Sequence, residues 1–299
     1  MAITLPQEIE TFSPRFATEG FYARYGKRCL ECLIAGLGLT LLSPFFGLIA
    51  ILIRLDSPGC IFFLQERIGR FAIPFKMYKF RTMRAQTAEN GSLISTVNDT
   101  RITKIGQFLR KFKLDEIPQL INVLKGEMSI VGPRPEVLAY VIKHQADFVP
   151  VLHLRPGLTD YAFLSFPQEA CILADFSDHE DSYDNVILPL KLRLYWKYLR
   201  EISLFTDIKI WFKSFLVLLF EDYAPRAVLP GKTHFGEIAI ELGYLRQASL
   251  RQALQQQERL NRSSWKPIGQ ILLETGDLRE PELGQVLAYQ QLALKIVRA

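Results

Sequence analysis

The longest apolar run of the chain covers residues 32–53, "CLIAGLGLTLLSPFFGLIAILI", and contains no charged residue. Its length suffices to cross a bilayer, but Ser43-Pro44 lies at its centre, where proline removes a backbone donor and kinks or breaks a helix. Basic residues flank both ends, and such residues favour the cytoplasmic side; they are Arg24, Lys27 and Arg28 before the run and Arg54, Arg67 and Arg70 after it. The pattern therefore predicts a re-entrant membrane helix hairpin at about 29–53. A full span and a buried core helix are the alternatives.

The pattern changes after the membrane segment. Residues 61–64 and 74–83 read as short strands, and apolar positions then recur at helical spacing at Ile105, Phe108, Leu109 and Phe112. That helix must end near Leu114, and a second begins near Pro118, because proline suits a first helical turn. Asp115 and Glu116 are thus expected at a helix–helix junction. The turn Gly132-Pro133-Arg134-Pro135 is rigid and presents Arg134 with little entropy to lose.

The last third of the chain contains two further patterns. Residues 195–220 mix aromatic and basic side chains and predict amphipathic helices at the membrane interface, with packing in the core as the alternative. Residues 221–233 read as a linker. Beyond it the chain repeats with a period of 33 residues, since 236–257 aligns with 269–290 with ten identities in 22 positions. Each copy predicts a short helix, a glycine end and a longer helix, which together form a small all-α domain.

Composition narrows the class of protein. The chain has 299 residues, of which 49% are hydrophobic and 22% charged, with a net charge of +5. These values exclude a disordered chain. Four scattered cysteines make no disulfide framework, and Cys29-x-x-Cys32 is read as a pair of buried thiols rather than a metal site. The four histidines lack the spacing of a zinc hydrolase.

Three motifs in order carry a family resemblance: "YKFRTM", "LRKFKLDEIPQLINVLKGEMSIVGPRPE" and "RPGLTD". Together with the Ser-Pro-broken hairpin they resemble the bacterial sugar transferases called monotopic phosphoglycosyl transferases, over residues 22–220. The resemblance implies an α/β monotopic membrane enzyme on the cytoplasmic face of the bacterial inner membrane, preceded by residues 1–21. It also implies transfer of a sugar 1-phosphate from a UDP-sugar to polyprenyl phosphate, the first membrane step of exopolysaccharide or surface-glycan synthesis. A catalytically silent membrane scaffold is the alternative.

The family implies that Asp115 is the nucleophile, which forms a covalent phosphosugar intermediate, and that Glu116 is its partner at Mg²⁺. A carboxylate that attacks a diphosphate needs nearby cations and a metal to neutralise the phosphates. The expected phosphate- and substrate-binding cations are Lys79, Arg81, Arg110, Arg134 and Arg155. After "RPGLT" the chain follows a less common branch, with Phe166 and Glu169 in an FxxE pattern, so the sugar stays open.

The C-terminal repeat, residues 234–291, resembles the N-terminal domain of type II secretion and pilus ATPases, which binds cyclic di-GMP in some members. The resemblance implies a regulatory site at Gly236, Gly243, Gln257, Gly269, Gly276 and Gln290. The arginine that usually precedes each copy is replaced by His234 and Pro267. Docking of glycan-assembly proteins is therefore the competing prediction, and a purely structural role is the third alternative. A homodimer is also open, and no nucleic-acid polymer is expected as a partner.

Overall fold

A computed structural model describes residues 21–84, 99–166, 169, 173, 179–219, 235–241, 244–259, 266–287 and 290. The predicted N-terminal segment, except Phe21, the linker 221–233 and Gly243 lie outside the described residues.

The apolar run forms one helix, α1, Lys27–Asp56, which continues from a π-helical turn at Tyr22–Gly26. In the part of the chain that the structure describes, Tyr22–Asp56 is the one helix long and apolar enough to cross a membrane. Pro44 lies inside α1, and the helix continues through it rather than ending there. Pro44 has no N–H for the carbonyl of Thr40, and the Ser43 hydroxyl donates to that oxygen instead, at 2.8 Å. The hairpin thus stays a prediction about how α1 lies in a bilayer.

The two strands predicted after the membrane segment are confirmed. β1, Phe62–Ile68, pairs with β2, Pro74–Phe80, in an antiparallel hairpin that sets Phe62 opposite Phe80. Phe80 is 1% exposed and packs with Ile49 and Ile53 of α1. The start of β1 and the end of β2 therefore lie against the C-terminal half of α1.

The helix–helix junction is also confirmed. α2, Lys104–Lys111, is followed by a 3₁₀ helix, Leu114–Gln119, and by α3, Leu120–Lys125. Asn122 fastens α3 to β2: its amide donates to the carbonyl of Lys76 at 2.8 Å and accepts from the backbone N–H of Tyr78 at 3.0 Å. These bonds fix the end of β2, and with it Lys79, relative to the junction.

A second sheet consists of two parallel strands, β3, Ser129–Val131, and β4, Gly157–Thr159. Their loops approach so closely that a Cβ on Gly132 would lie 2.6 Å from the carbonyl oxygen of Arg155. Only glycine allows that approach. The segments that follow the two strands, with Arg134 and Asp160, consequently leave the same edge of the sheet.

The remaining helices pack around these sheets and form the core. They are α4, Leu138–Lys143; α5, Gln145–Val151; α6, Tyr161–Ser165; α7, His179–Ser182, which leads into a π-helix, Tyr183–Ile187; α8, Leu188–Glu201; and α9, Leu204–Leu219. The fold is therefore a mixed α/β arrangement with small sheets and one long apolar N-terminal helix.

The two helices predicted at the membrane interface differ. α9 exposes large apolar side chains, namely Phe205, Ile208, Trp211, Phe212, Phe215 and Leu219. α8 does not, because Tyr195 and Tyr198 are almost fully buried. The prediction of an interfacial face was wrong for α8: the alternative, core packing, applies to it.

The described part of the repeat is helical in both copies. The described helices are α10, Phe235–Glu241; α11, Gln247–Arg259; α12, Ile268–Glu274; and a last helix that includes residues 280–287. Within each copy, the two helices pack through an equivalent contact. A Cβ on Gly236 would lie 2.7 Å from Leu250 Cδ2, and a Cβ on Gly269 would lie 2.7 Å from Leu283 Cδ1. Glycine at these two positions lets the paired helices pack closely.

Candidate active site

Asp115 and Glu116 lie in the first turn of the 3₁₀ helix. The residue before this helix, Lys113, has φ +55°, which is unusual for a side chain other than glycine. This left-handed residue turns the chain sharply between α2 and the 3₁₀ helix, and both acids follow it inward. Such backbone strain is often found at functional sites.

The Glu116 carboxylate is held by two cations from different elements. Lys79 of β2 donates to Oε1 at 2.9 Å, and Arg134 donates to Oε2 at 3.1 Å and also to Oε1. Burial alone would raise the pKa of Glu116, but Arg134, Lys79 and Lys113 together hold it well below its usual range. Glu116 is therefore ionised, and both of its oxygens have partners.

Asp115 differs from its neighbour. It is 7% exposed, and its Oδ1 is buried without a hydrogen-bond partner in the described protein. Burial, followed by the charge of Glu116, raises the pKa of Asp115 above its ordinary value, while Lys79, Lys113 and Arg110 oppose the rise. A buried carboxylate oxygen without a partner is costly, and it is available to a substrate atom or a metal ion.

Arg134 is positioned by the second sheet. The Arg134 backbone N–H donates to Asp160 Oδ2 at 2.9 Å, and Asp160 Oδ1 accepts the N–H of Phe163 at 2.5 Å. Asp160 thus caps the N-terminus of α6 and also holds the turn Gly132–Pro135, called the Arg134 loop below. The charge of Glu116 raises the pKa of Arg134 well above its ordinary value, although burial opposes it.

The five predicted cations do not form one group. Lys79 and Arg134 meet at Glu116, and Arg110 lies close enough to Asp115 to affect its pKa while its Nε donates to Thr82 Oγ1 at 2.8 Å. Arg81 is placed elsewhere: its guanidinium donates to backbone carbonyls at the C-terminal end of α1 and just beyond it, including that of Pro58 at 2.9 Å. Arg155 donates to the carbonyl of Gly126 at 3.1 Å.

Sequence reasoning missed a second buried charge network beside the first. Lys191 of α8 lies 3.2 Å from Glu136 and 3.3 Å from Glu169, and its amine also donates to the Tyr183 hydroxyl at 2.9 Å. Glu136 also pairs with Arg67 at 3.5 Å. The signal in the sequence was the lysine at position 191 on an otherwise apolar helix face.

The predicted magnesium site can be compared with the side chains that the structure describes. They contain no group of three or more His, Cys, Asp or Glu side chains that could hold an ion. Mg²⁺ is commonly bound by one or two carboxylates together with substrate phosphates and water. Asp115 fits that pattern through its partner-free oxygen, whereas Glu116, predicted as the metal-associated residue, uses both oxygens for Lys79 and Arg134.

Most of the described residues that were predicted to bind cyclic di-GMP already make packing contacts or hydrogen bonds. Gly236 and Gly269 pack against leucines, as described above, and Gln257 donates to the carbonyl of Lys266 at 2.8 Å. Gly276 has φ +75° with nothing within 4 Å of the position that a Cβ would take, as expected after a helix end. Gln290 lies in a helical part of the chain and has a partner.

Comparison with known proteins identifies the larger part of the chain. The family described as bacterial sugar transferase matches residues 22–221. The UDP-N-acetylgalactosamine-undecaprenyl-phosphate N-acetylgalactosaminephosphotransferase of Aeromonas hydrophila is 34% identical over 196 residues, 64% of this chain and 43% of that protein.

Two further relatives extend the comparison. The UDP-glucose:undecaprenyl-phosphate glucose-1-phosphate transferase of Escherichia coli (strain K12) is 36% identical over 197 residues, 62% of this chain and 38% of that protein. The exopolysaccharide production protein PSS of Rhizobium leguminosarum bv. phaseoli is 41% identical over 143 residues, 46% of this chain and 72% of that protein. The chain thus spans less than half the length of the first two relatives. Through the match over residues 22–221, which include the Asp115-Glu116 turn and the Arg134 loop, the chain belongs to the bacterial sugar transferase family.

Proposed function

We propose that the protein transfers a sugar 1-phosphate from a UDP-sugar to undecaprenyl phosphate, the reaction type that the names of two relatives describe. The name of a third points to exopolysaccharide synthesis as the setting. The observation that carries the proposal is the contrast at Asp115 and Glu116. Glu116 is partly buried and paired with cations through both oxygens, whereas the buried Asp115 has an oxygen without a hydrogen-bond partner among the described residues.

The proposed chemistry has two displacement steps at one phosphorus atom. An oxygen of Asp115 attacks the phosphorus that bears the sugar, the bond to UMP breaks, and UMP leaves with the electron pair. A phosphate oxygen of undecaprenyl phosphate then attacks the same phosphorus, and the bond to Asp115 breaks. The carboxylate is regenerated, and the product is an undecaprenyl diphosphate sugar.

The cations around Asp115 have distinct roles in this proposal. Glu116 holds Lys79 and Arg134 in place, so that their charge faces the diphosphate without reorganisation during the reaction. Arg110, fixed on Thr82, adds positive charge from α2. Mg²⁺, held by Asp115 and the substrate phosphates, would supply further neutralisation of charge on the diphosphate and on departing UMP.

We further propose that α1 enters the cytoplasmic leaflet of the inner membrane and returns to the same side. Near its N-terminal end, the Glu31 carboxylate accepts the backbone N–H of Ile130 at 3.0 Å. At its other end, Asp56 accepts the backbone N–H of Ile105, also at 3.0 Å. Both ends are therefore bound to the same folded domain, whereas Leu41 between them is 78% exposed. A full span would place the two ends on opposite sides of the roughly 30 Å hydrocarbon core, where one folded domain could not bind both.

Labelling can test this topology. Phe21 is 81% exposed before α1, and Cys60 is a free, exposed thiol after it. In sealed inside-out vesicles, a membrane-impermeant maleimide should label Cys60 in a variant that has serine at positions 29, 32 and 171. It should also label a Phe21→Cys variant that has serine at positions 29, 32, 60 and 171. In right-side-out vesicles it should label neither. Labelling of the two positions from opposite sides would establish a full span.

Cyclic di-GMP is proposed as the first ligand to test on the repeat. The exposed side of α11 lines an open surface groove, the α11 groove, with Ala248, Arg251, Gln252, Gln255, Gln256 and Arg259. Two arginines suit phosphate groups, and they could replace the arginines missing before each copy. Titration of the full-length protein with cyclic di-GMP should give heat that Arg251→Ala and Arg259→Ala each reduce. A folded protein that gives no heat would favour docking of a glycan-assembly protein.

The transferase reaction is tested with the purified full-length protein, Mg²⁺, undecaprenyl phosphate and a panel that contains UDP-N-acetylgalactosamine and UDP-glucose. We expect release of UMP rather than UDP, with the sugar on lipid diphosphate. Without acceptor, UMP release should stop at no more than one equivalent and leave labelled sugar phosphate on the protein. No UMP from any donor, with the fold intact, would favour the silent scaffold.

A further inference from the structure

Helix α8 is connected to both ends of the Arg134 loop. Lys27 Nζ donates to the Tyr198 hydroxyl and to the carbonyl of Val131, each at 2.8 Å, and so links α8 to one end of the loop. At the other end, the Lys191 amine donates to Glu136 Oε1 at 3.2 Å. Val131 and Glu136 are the residues on either side of Gly132–Pro135, the turn that carries Arg134. The position of this turn therefore depends on the position of α8.

The contacts on this side of α8 are buried. Lys191 and Tyr198 are each 2% exposed, and Glu136 is 5% exposed. A lysine buried between carboxylates cannot shift without leaving charges unpaired in a region of low dielectric. A shift of the inner face of α8 would therefore break its buried contacts with the Arg134 loop.

The opposite side of α8 touches the repeat. Arg193 lies about 200° around the helix from Lys191, at 3.6 residues per turn. Its guanidinium lies 4.5 Å from the ring centroid of Tyr244, in the turn between α10 and α11. The Tyr244 hydroxyl donates to Gln285 in the second copy, so this one side chain connects α8 to both halves of the repeat.

Apolar packing extends the contact beyond one pair. Leu188 and Leu192 of α8 belong to the same continuous buried cluster as Ile238 and Leu245 of the repeat. The two copies are not equivalent in this respect. The position that corresponds to Tyr244 in the second copy is Asp277, which is exposed. The tyrosine that makes the contact thus belongs to one copy alone.

We propose that the repeat controls the transferase through α8: its docking on Arg193 holds α8, and α8 in turn holds the loop that presents Arg134 to Glu116. Tyr244 and Arg193 are then the docking pair, and Lys191 is a positioning residue for Arg134. The docked arrangement is the active one, because in it the Arg134–Glu116 ion pair is formed. This inference rests on the proposed transferase function.

The experiment compares Tyr244→Ala, Arg193→Ala and the double variant in the full-length protein, with Asp277→Ala as the matched control in the other copy. UMP release is measured with the donor that the wild type accepts, and hydrogen exchange is followed in 132–136, 188–201 and 235–287. Each docking variant should lower kcat about fivefold or more, with KM within twofold. The double variant should lose no more than the stronger single one.

Hydrogen exchange separates coupling from local damage. Tyr244→Ala should speed exchange in 188–201 and 132–136 as well as in the repeat, and Asp277→Ala should leave both transferase segments at the wild-type rate. Faster exchange confined to 235–287 with unchanged kcat would overturn the proposal. So would unchanged exchange throughout, or a rise in kcat, since the latter would make the docked arrangement inhibitory.

The two proposals can fail separately. If the wild type released no UMP, the transferase assignment would be wrong, and exchange in 132–136 would still report whether docking reaches the Arg134 loop. If the wild type were active and the docking variants kept its kcat while their repeat opened, only the coupling would be wrong.

Discussion

The Asp115 turn and the C-terminal repeat were both assigned functional residues by resemblance, and the structure treats the two sets differently. At the turn, Glu116 is paired, and Asp115 retains a buried oxygen that no described residue hydrogen-bonds. In the repeat, Gly236 and Gly269 pack on leucines and Gln257 bonds a backbone carbonyl. In the folded protein, the first site keeps a side-chain oxygen that accepts no hydrogen bond from a described residue, whereas the residues of the second site are engaged in packing and hydrogen bonds. A buried polar atom without a partner costs free energy. It therefore indicates function more strongly than a matching motif does.

The largest effect on activity is expected from substitution of Asp115, whose Oδ1 has no hydrogen-bond partner among the described residues. Asp115→Asn should lower UMP release by about 10³-fold or more, because the amide is a poor nucleophile of similar shape. It should not lower the thermal unfolding midpoint at neutral pH. The raised pKa of Asp115 means that the ionised form is disfavoured by folding, so this group costs stability as pH rises through that pKa. A midpoint well below that of the wild type, with appreciable turnover, would contradict both assignments.

Glu116→Gln should have the next largest effect. Without the paired anion, Lys79 and Arg134 lose their positions, and kcat should fall roughly 10²-fold. The ion pairs of Glu116 are partly buried, so loss of this anion should also lower the free energy of unfolding, by about 2 kcal/mol.

The pH profile of kcat/KM tests the link between the two acids. Asp115 attacks in its ionised form, so kcat/KM should fall as pH decreases through the pKa of Asp115 in the free enzyme. The charge of Glu116 contributes to the rise of that pKa. In Glu116→Gln the acid limb should therefore move to lower pH. An unchanged limb, at reduced kcat, would mean that another group controls it.

Substitutions at glycine test the repeat. Gly236→Ala and Gly269→Ala should each destabilise it by about 1–3 kcal/mol, since a Cβ would lie 2.7 Å from a leucine methyl. Gly284→Ala is the matched control, because it is helical and has nothing within 4 Å of its Cβ position. It should stabilise the helix by roughly 0.5–1 kcal/mol. Chemical unfolding of the full-length variants gives these values, and equal effects at the three positions would refute the packing explanation.

Local patterns predicted much of this molecule. Alternation predicted β1 and β2, helical spacing predicted α2, and the proline at 118 marked the junction, because each depends on a few neighbouring residues. Arg81 could not be placed in this way. Its motif resembles a phosphate contact, yet its guanidinium bonds carbonyls at the end of α1, some 25 residues earlier in the chain. The parallel pairing of β3 with β4 and the charges around Lys191 likewise join distant segments, which a sequence pattern does not register.

The smallest predicted effect on stability concerns two glutamines of α11, Gln255 and Gln257, which should respond differently to substitution. Gln257 donates to the carbonyl of Lys266 in the spacer between the copies, whereas Gln255 is exposed on the α11 groove. Gln257→Ala should lower the free energy of unfolding by about 0.5–1.5 kcal/mol, the usual net value of one hydrogen bond. Gln255→Ala should leave it unchanged. If the repeat binds cyclic di-GMP in this groove, the heat of binding should decrease in Gln255→Ala and persist in Gln257→Ala at a temperature where the repeat is folded. The reverse outcome would return Gln257 to the ligand-contact role that its motif predicts and would show that a side chain with a partner can still exchange it for a ligand.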